Sequence, residues 1–171
     1  MPQHDLTDSY KVYKDGGKPL GIASIELPEV EMMSDTLSGA GIMGEIDAPV
    51  TQPKAMTVKL TFSTKYSGWA DLIAPGVHQL DCRINTLAVK KDSSYVHLGE
   101  RVVLQVMNKK FALGKPEKAK KQENEVEFEV LYVKQVLDGK DTLEIDKLND
   151  KFVVNGTDYR ETARRNTGME S

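Results

Sequence analysis

Cysteine is nearly absent: Cys82 is the only one in 171 residues. A lone cysteine excludes an internal disulfide framework and any zinc site made of thiolates alone, and it fits folding in a reducing compartment. Histidine is almost as scarce. His4, His78 and His97 lie far apart with no ligand spacing between them, so no metal site is expected. Long apolar runs are missing as well, none approaching the ~20 residues that span a bilayer. Met1 to Asp8 is polar, without a basic flank before an apolar core, so neither a secretory leader nor a transit peptide is expected. The chain is therefore expected to be soluble, with no membrane binding of its own.

Charge of one sign is lacking too. Twenty-three Lys and Arg stand against 26 Asp and Glu, a formal net charge of −3, too balanced for a non-specific polyanion binder and too mild for a disordered acidic tail. At ~100 to 200 residues per domain the length predicts a single domain over 1–171. A chain of this size buries roughly 70% of its unfolded surface, and a hydrophobic content of 39% is enough for a core without staples.

What is present is period-two alternation. From Met56 to Ser63, Met56, Val58, Leu60 and Phe62 point one way and Thr57, Lys59, Thr61 and Ser63 the other, as in a half-buried strand. From Glu125 to Val136, Val126, Phe128, Val130 and Tyr132 are placed in the core, and Glu125, Glu127 and Glu129 form an acidic row opposite. Arg101 to Met107 supplies a partner strand, with the polar stretch Asn108 to Asn124 as the hairpin tip. Further strands are predicted at Tyr10 to Tyr13, Leu20 to Leu27, Asp81 to Val89 and Thr142 to Asp146, with turns at Asp15-Gly16-Gly17 and Asp138-Gly139. Helix is scarce: Ser67 can cap a turn from Trp69 to Ala74, and Asp158 with Glu161 can cap another from Tyr159 to Arg165. The predicted fold is mainly β, an antiparallel β-sandwich or small barrel with one or two short flanking helices.

One segment breaks the pattern. Glu29 to Lys54 shows neither helical nor strand periodicity and is predicted as a long extended loop. Its apolar residues Val30, Met32, Met33, Leu37, Ile42, Met43 and Ile46 are too many for a solvated linker, so an interface role is expected, with folding back on its own core as the alternative. Within it, Gly39-Ala40-Gly41-Ile42-Met43-Gly44 matches a dinucleotide-binding pattern letter for letter. That fingerprint needs a helix opening directly after the glycines, and Pro49 and Pro53 prevent one, so no cofactor is assigned.

Chemistry is equally unsupported elsewhere. There is no Gly-x-Ser-x-Gly elbow, Cys82 sits in a strand without a local signature, and no catalytic residue is named. Six lysines between Lys109 and Lys121 interleave only Phe111 and are diluted by Glu117, which favours a solvated tip over a phosphate-binding surface. The acidic row reads as an exposed strand face rather than an acid–base pair across a cleft.

Two ordered blocks carry a resemblance. The first holds Leu27-Pro28, Leu37, Gly39-Ala40-Gly41 and Gly44; the second holds Asp138-Gly139-Lys140, Glu144-Ile145-Asp146, Val154-Asn155-Gly156, Asp158, Arg164-Arg165-Asn166 and Gly168. Together they resemble the major tail tube proteins of contractile-tailed bacteriophages. The resemblance implies a structural virion protein, not an enzyme, forming hexameric rings stacked into a tube inside a sheath, with an inner β-barrel shared between subunits. Its implied partners are other copies of itself, the tail sheath, baseplate and tail terminator proteins, and, transiently in the lumen, the tape measure protein and DNA. The implied location is the phage tail, assembled in the host bacterial cytoplasm. A tail-like bacteriocin, a related contractile injection system and a monomeric β-sandwich binding module remain as alternatives.

Within that expectation, Leu37, Gly39, Ala40, Gly41, Ile42, Met43 and Gly44 are the candidate contact between subunits or rings, with Arg164 and Arg165 as a second. Glu125, Glu127 and Glu129, or alternatively Thr57, Lys59 and Thr61, are the candidate lumen face.

Overall fold

The computed structural model describes residues 4–17, 19–65 and 68–169. Eleven strands and two short helices follow in order: β1 (His4–Lys14), β2 (Ile22–Glu26), β3 (Met32–Ser38), β4 (Glu45–Pro53), β5 (Thr57–Phe62), α1 (Trp69–Ile73), β6 (Val77–Val89), β7 (Tyr95–Phe111), β8 (Asn124–Leu137), β9 (Lys140–Asp146), β10 (Lys151–Val154), β11 (Thr157–Asp158) and α2 (Glu161–Asn166). Every pairing among these strands is antiparallel.

Strand β8 organises the main sheet. One edge pairs with β7; the other pairs with β5 over Asn124–Glu129 and with β9 over Tyr132–Leu137, so two layers branch from one strand. The sheet folds over its own core as in a β-sandwich and does not close into a barrel, although Leu20 N–H donates to Val12 O at 2.7 Å and brings the chain before β2 beside β1. Inside lie the fully buried side chains of Val58, Leu60, Phe62, Leu80, Leu104, Val106, Val126 and Phe128. Apart from Leu80, which lies before the predicted strand from Asp81 because β6 begins at Val77, these are apolar positions of the predicted strands, and burying each of the larger ones contributes about 1.5–3 kcal/mol. Trp69 of α1 closes the core by packing edge-on against Phe62, ring centroids 5.5 Å apart.

The alternation of β8 does not run through its whole length. Gln105 pairs with Tyr132 but Val106 pairs with Val130, so Leu131 is an extra residue in a β-bulge. The bulge flips the phase: Val133 is buried in place of Tyr132. Tyr132, expected in the core, instead sends its hydroxyl to Glu144 at 3.1 Å, and partial burial together with that carboxylate pushes its phenol up to about 12.

The segment Glu29 to Lys54 is not an irregular loop. It is the β3–β4 hairpin, a separate two-stranded sheet pairing Ser38 with Glu45 and Met32 with Pro53. Both strands are largely exposed, so neither face imposes a period of two, and the sequence pattern is silent for that reason. Strands β10 and β11 were also not expected; Asn155-Gly156, both at positive φ, make the tight turn between them, a hairpin signal present in the sequence. Strand β7 runs longer than Arg101–Met107, so the hairpin tip begins only after Phe111. Ser67 lies outside the described residues, and Gly68 is the residue preceding α1. Helix α2 begins at Glu161 rather than Tyr159, with Arg160 at its cap, and Asp158 accepts from Arg160 N–H at 2.9 Å just ahead of it.

Candidate assembly surfaces

The two alternative lumen rows prove to be one surface. Antiparallel pairing sets Thr57 opposite Glu129, Lys59 opposite Glu127 and Thr61 opposite Glu125, and residues directly opposite share a face. The face continues to β2, where Ser24 and Glu26 pair with Thr61 and Lys59, and to β7, where Lys110 pairs with Glu127. Its central rung therefore reads Glu26, Lys59, Glu127, Lys110, charges alternating across four strands.

These charges are not independent. The Lys59 ammonium lies 3.1 Å from Glu125, and that hydrogen bond, with the nearby Glu26 and Glu127, holds its pKa above the ordinary lysine value. Glu129 accepts from Lys147 at 3.1 Å and from Met56 N–H at 3.3 Å, so it also ties β8 to the start of β5. The surface is polar and mixed in charge, with Lys59, Lys110 and Lys147 set among Glu26, Glu125, Glu127 and Glu129, where the sequence alone displays a bare acidic row.

The β3–β4 hairpin presents the opposite chemistry. Leu37 and Ile46 are each 50% exposed and Met43 is fully so, with Val30, Met33 and Val50 exposed alongside. Its tip is Gly39 to Gly44, closed by Ile42 N–H donating to Gly39 O at 3.1 Å, with Gly41 at φ 92° and Gly44 at φ 84°. Nothing lies within 4 Å of where a Cβ would stand on Gly39, Gly41 or Gly44, so the backbone conformation, not crowding, calls for glycine there. The dinucleotide-like motif thus sits between two strands. At its base the hairpin meets the β9–β10 and α2 end of the main body, where Met32, Val50, Thr51, Phe152, Val154 and Tyr159 line a shallow apolar cavity of about 360 Å³.

The two arginines of α2 differ. Arg164 turns inward, donating to Asp158 at 2.6 Å and to Asp150 O at 2.8 Å, and its neighbour Arg160 grips Asp150 with two bonds of 2.8 and 3.0 Å. The hydrogen bond from Arg164 holds the Asp158 carboxyl below the usual carboxylate range. Arg165 is exposed, and among the described residues its side chain reaches Glu161 alone, at 3.2 Å on the same helix. Of the pair, Arg165 is the one presented outward.

Sequence reasoning missed a further surface. The first half of β1 pairs with the end of β6, setting Leu6 opposite Leu87 and His4 opposite Val89, and β6 pairs in turn with the start of β7, setting Val89 opposite Tyr95. Leu6 is 62% and Tyr95 68% exposed, and beside the first half of β1, His4 to Asp8, no strand pairs on the outer edge among the described residues. Tyr95, His97 and Gly99 alternating with Val96 and Leu98 was the available signal. Cys82, by contrast, is a core residue on β6, and burial pushes its thiol up to about 11, which leaves it unreactive. His78 is likewise held inside, with Nε2 2.8 Å from Ala74 O.

The family model described as phage tail tube protein FII matches residues 6–168. A tail tube protein of Escherichia phage P2 is 26% identical over 164 residues, covering 92% of this chain and 94% of that protein. Two solved structures share the fold, each with a TM-score of 0.52: one from a PVC sheath–tube complex of an extracellular contractile injection system in the extended state, 11% identical over 74% of this chain and 87% of that one, and one from the sheath/tube terminator of such a system, 10% identical over 75% and 94%.

Proposed function

We propose that this chain, which belongs to the phage tail tube protein FII family and is a structural tail component rather than an enzyme, polymerises as hexameric rings stacked into the inner tube of a contractile tail. The observation that carries this is the β3–β4 hairpin. Hydrophobic side chains of the kind normally buried stand out from the body on an arm with unpaired edges, and a second copy is the partner that every subunit of a homopolymer has available. The open edge of β1 adds a second seam, and joining seams between subunits extends the sheet into a shared barrel without exposing backbone.

Size supports the same reading. A domain of this length has a radius of gyration of roughly 15 Å, so a ring of six leaves a central opening about one domain wide, sufficient for a duplex. Conduction is passive. A channel that neutralised phosphates would gain affinity from released counterions and stall transit, whereas the polar, net acidic face of β5 and β8 offers no positive field. That face, with Thr57, Lys59, Thr61, Glu125, Glu127 and Glu129, is assigned to the lumen. Hairpin residues Leu37 to Gly44 and the exposed Arg165 are assigned to contacts between subunits or rings, with Arg164 shaping the helix that presents Arg165. Sheath, baseplate and terminator proteins meet the outside and ends of the tube, the tape measure protein and DNA occupy the lumen in turn, and assembly takes place in the host cytoplasm.

Negative-stain microscopy of the concentrated protein tests the proposal. Hollow filaments with a regular axial repeat are the expected result, and single particles at every concentration, even beside preformed tube fragments, would overturn it. A headless injection device would use the same tube, and the shared fold with such a system gives that reading its support; particles purified with packaged DNA distinguish the phage.

A further inference from the structure

The lysine-rich turn between β7 and β8 has no part in passive conduction. From Lys109 to Lys121 six lysines stand against Glu117, a net of +5, so subtracting this from the chain's −3 leaves −8 on all other residues. Every residue from Lys109 to Lys121 is exposed. The turn is nonetheless held in shape. Ala112 N–H donates to Glu125 O at 2.8 Å, and Gly114 sits at φ 90°, where a methyl group would overlap the Asn124 side-chain oxygen. Lys115 and Lys120 pair with Glu117, while Lys109, Lys110, Lys118 and Lys121 have no ion pair among the described residues.

Negative charge collects at the other end of the same strands. In the β5–β8 pair, Phe62 and Asn124 mark the end beside the lysine turn and Thr57 and Glu129 the opposite end. Near that opposite end is a groove of about 450 Å³ whose lining includes Glu26, Glu29, Glu31, Thr57, Lys59 and Glu127. Glu31 pairs with Lys54 and Lys59 with Glu125, but Glu26, Glu29 and Glu127 have no ion pair among the described residues. Five residue steps at ~3.3 Å separate the two ends. Lys110 stands on the rung of Glu127, but Lys115 to Lys121 lie in the turn beyond Phe111 and extend away from the groove, so one subunit does not bring them to it.

We infer that the Lys115–Lys121 turn of one copy docks at the Glu26 and Glu29 side of this groove in the next, making a head-to-tail charge contact that repeats along the polymer. The inference rests on the proposed tube and names the contact that sets its axial register. Complementary charge at opposite ends of one strand pair selects a second copy as the occupant. A duplex held by these lysines would be retained rather than passed.

Charge reversal with rescue is the test, read by sedimentation of polymer across protein concentrations, with circular dichroism confirming the fold. Lys118→Glu with Lys121→Glu, and separately Glu26→Lys with Glu29→Lys, should each raise the concentration for half-maximal polymer by at least about tenfold, and the four changes together should return it to within about threefold of the parent. Unchanged polymerisation in either reversed pair, or no recovery in the combination, overturns the docking while leaving the tube in place. Parent protein that forms no polymer overturns the tube itself and this contact with it. Normal tubes from Lys118→Glu with Lys121→Glu that no longer retain a short DNA duplex would give the lysines to nucleic acid and overturn the docking.

Discussion

Lys59 stands directly opposite Glu127 in the β5–β8 register, yet its ammonium lies 3.1 Å from Glu125, one rung away on the same face. The diagonal reach leaves Glu127 without an ion pair among the described residues. A lysine placed among three carboxylates offsets part of their charge and leaves the face net acidic.

Reversing that balance should be felt by DNA and not by the fold. Glu125→Lys with Thr61→Lys converts the face to a positive one, and DNA ejection should slow by about tenfold or more at low salt and recover as salt is raised, with tubes of normal appearance. Ejection kinetics unchanged at every ionic strength would remove this face from the lumen.

Ile42→Asp in the hairpin tip should give a folded monomer that does not polymerise. Ile42 is half-buried at the tip of β3–β4, away from the main core, so the loss of thermal stability should stay below about 1 kcal/mol. Gly41→Asp should behave likewise, with an added local cost because Gly41 holds φ 92°. Size-exclusion chromatography beside microscopy reads both; normal tubes would exclude the hairpin from assembly.

Phe128→Ala removes a fully buried ring from the centre of the core. Denaturant unfolding of the unassembled protein should show a loss of about 3–5 kcal/mol. A loss below about 1 kcal/mol would mean that the two sheet layers do not pack through this residue.

Acid should loosen the α2 end. The Asp158 carboxyl is held low chiefly by its hydrogen bond from Arg164, so its stabilisation is present above the unfolded aspartate value of about 3.9 and is lost as pH falls through the lower folded value. Asp81 follows the same direction: burial would raise its pKa, but hydrogen bonds from Arg101 and Arg83 outweigh it. Arg164→Ala should therefore destabilise the protein at neutral pH and flatten the loss of stability below about pH 4, measured by urea unfolding at a series of pH values. Arg165→Ala should leave that profile unchanged.

Much of the fold was legible in the sequence because a half-buried strand must alternate. Val58, Leu60 and Phe62 against Lys59 and Thr61, and Val126 and Phe128 against the glutamates, state which face goes in before any partner is known. The turn residues were legible for a similarly local reason, since Asp138-Gly139 adopts positive φ whatever surrounds it. The ordered blocks ending in Arg164-Arg165-Asn166 carried the family.

What needed the tertiary structure was everything set by pairing. Hydrogen-bond register made one surface of two separately noted rows, and the bulge at Leu131, within the apolar run Val130 to Val133 whose phase the pattern does not define, turned Tyr132 out of the core. The hairpin from Met32 to Pro53 and the wing around Leu6 and Tyr95 were silent or overlooked because their faces are buried weakly or not at all within one subunit. Composition and periodicity along the chain determined which residues want shelter from water; the folding of the sheet decided which of them find it inside one copy, because burial is a property of neighbours and not of residues.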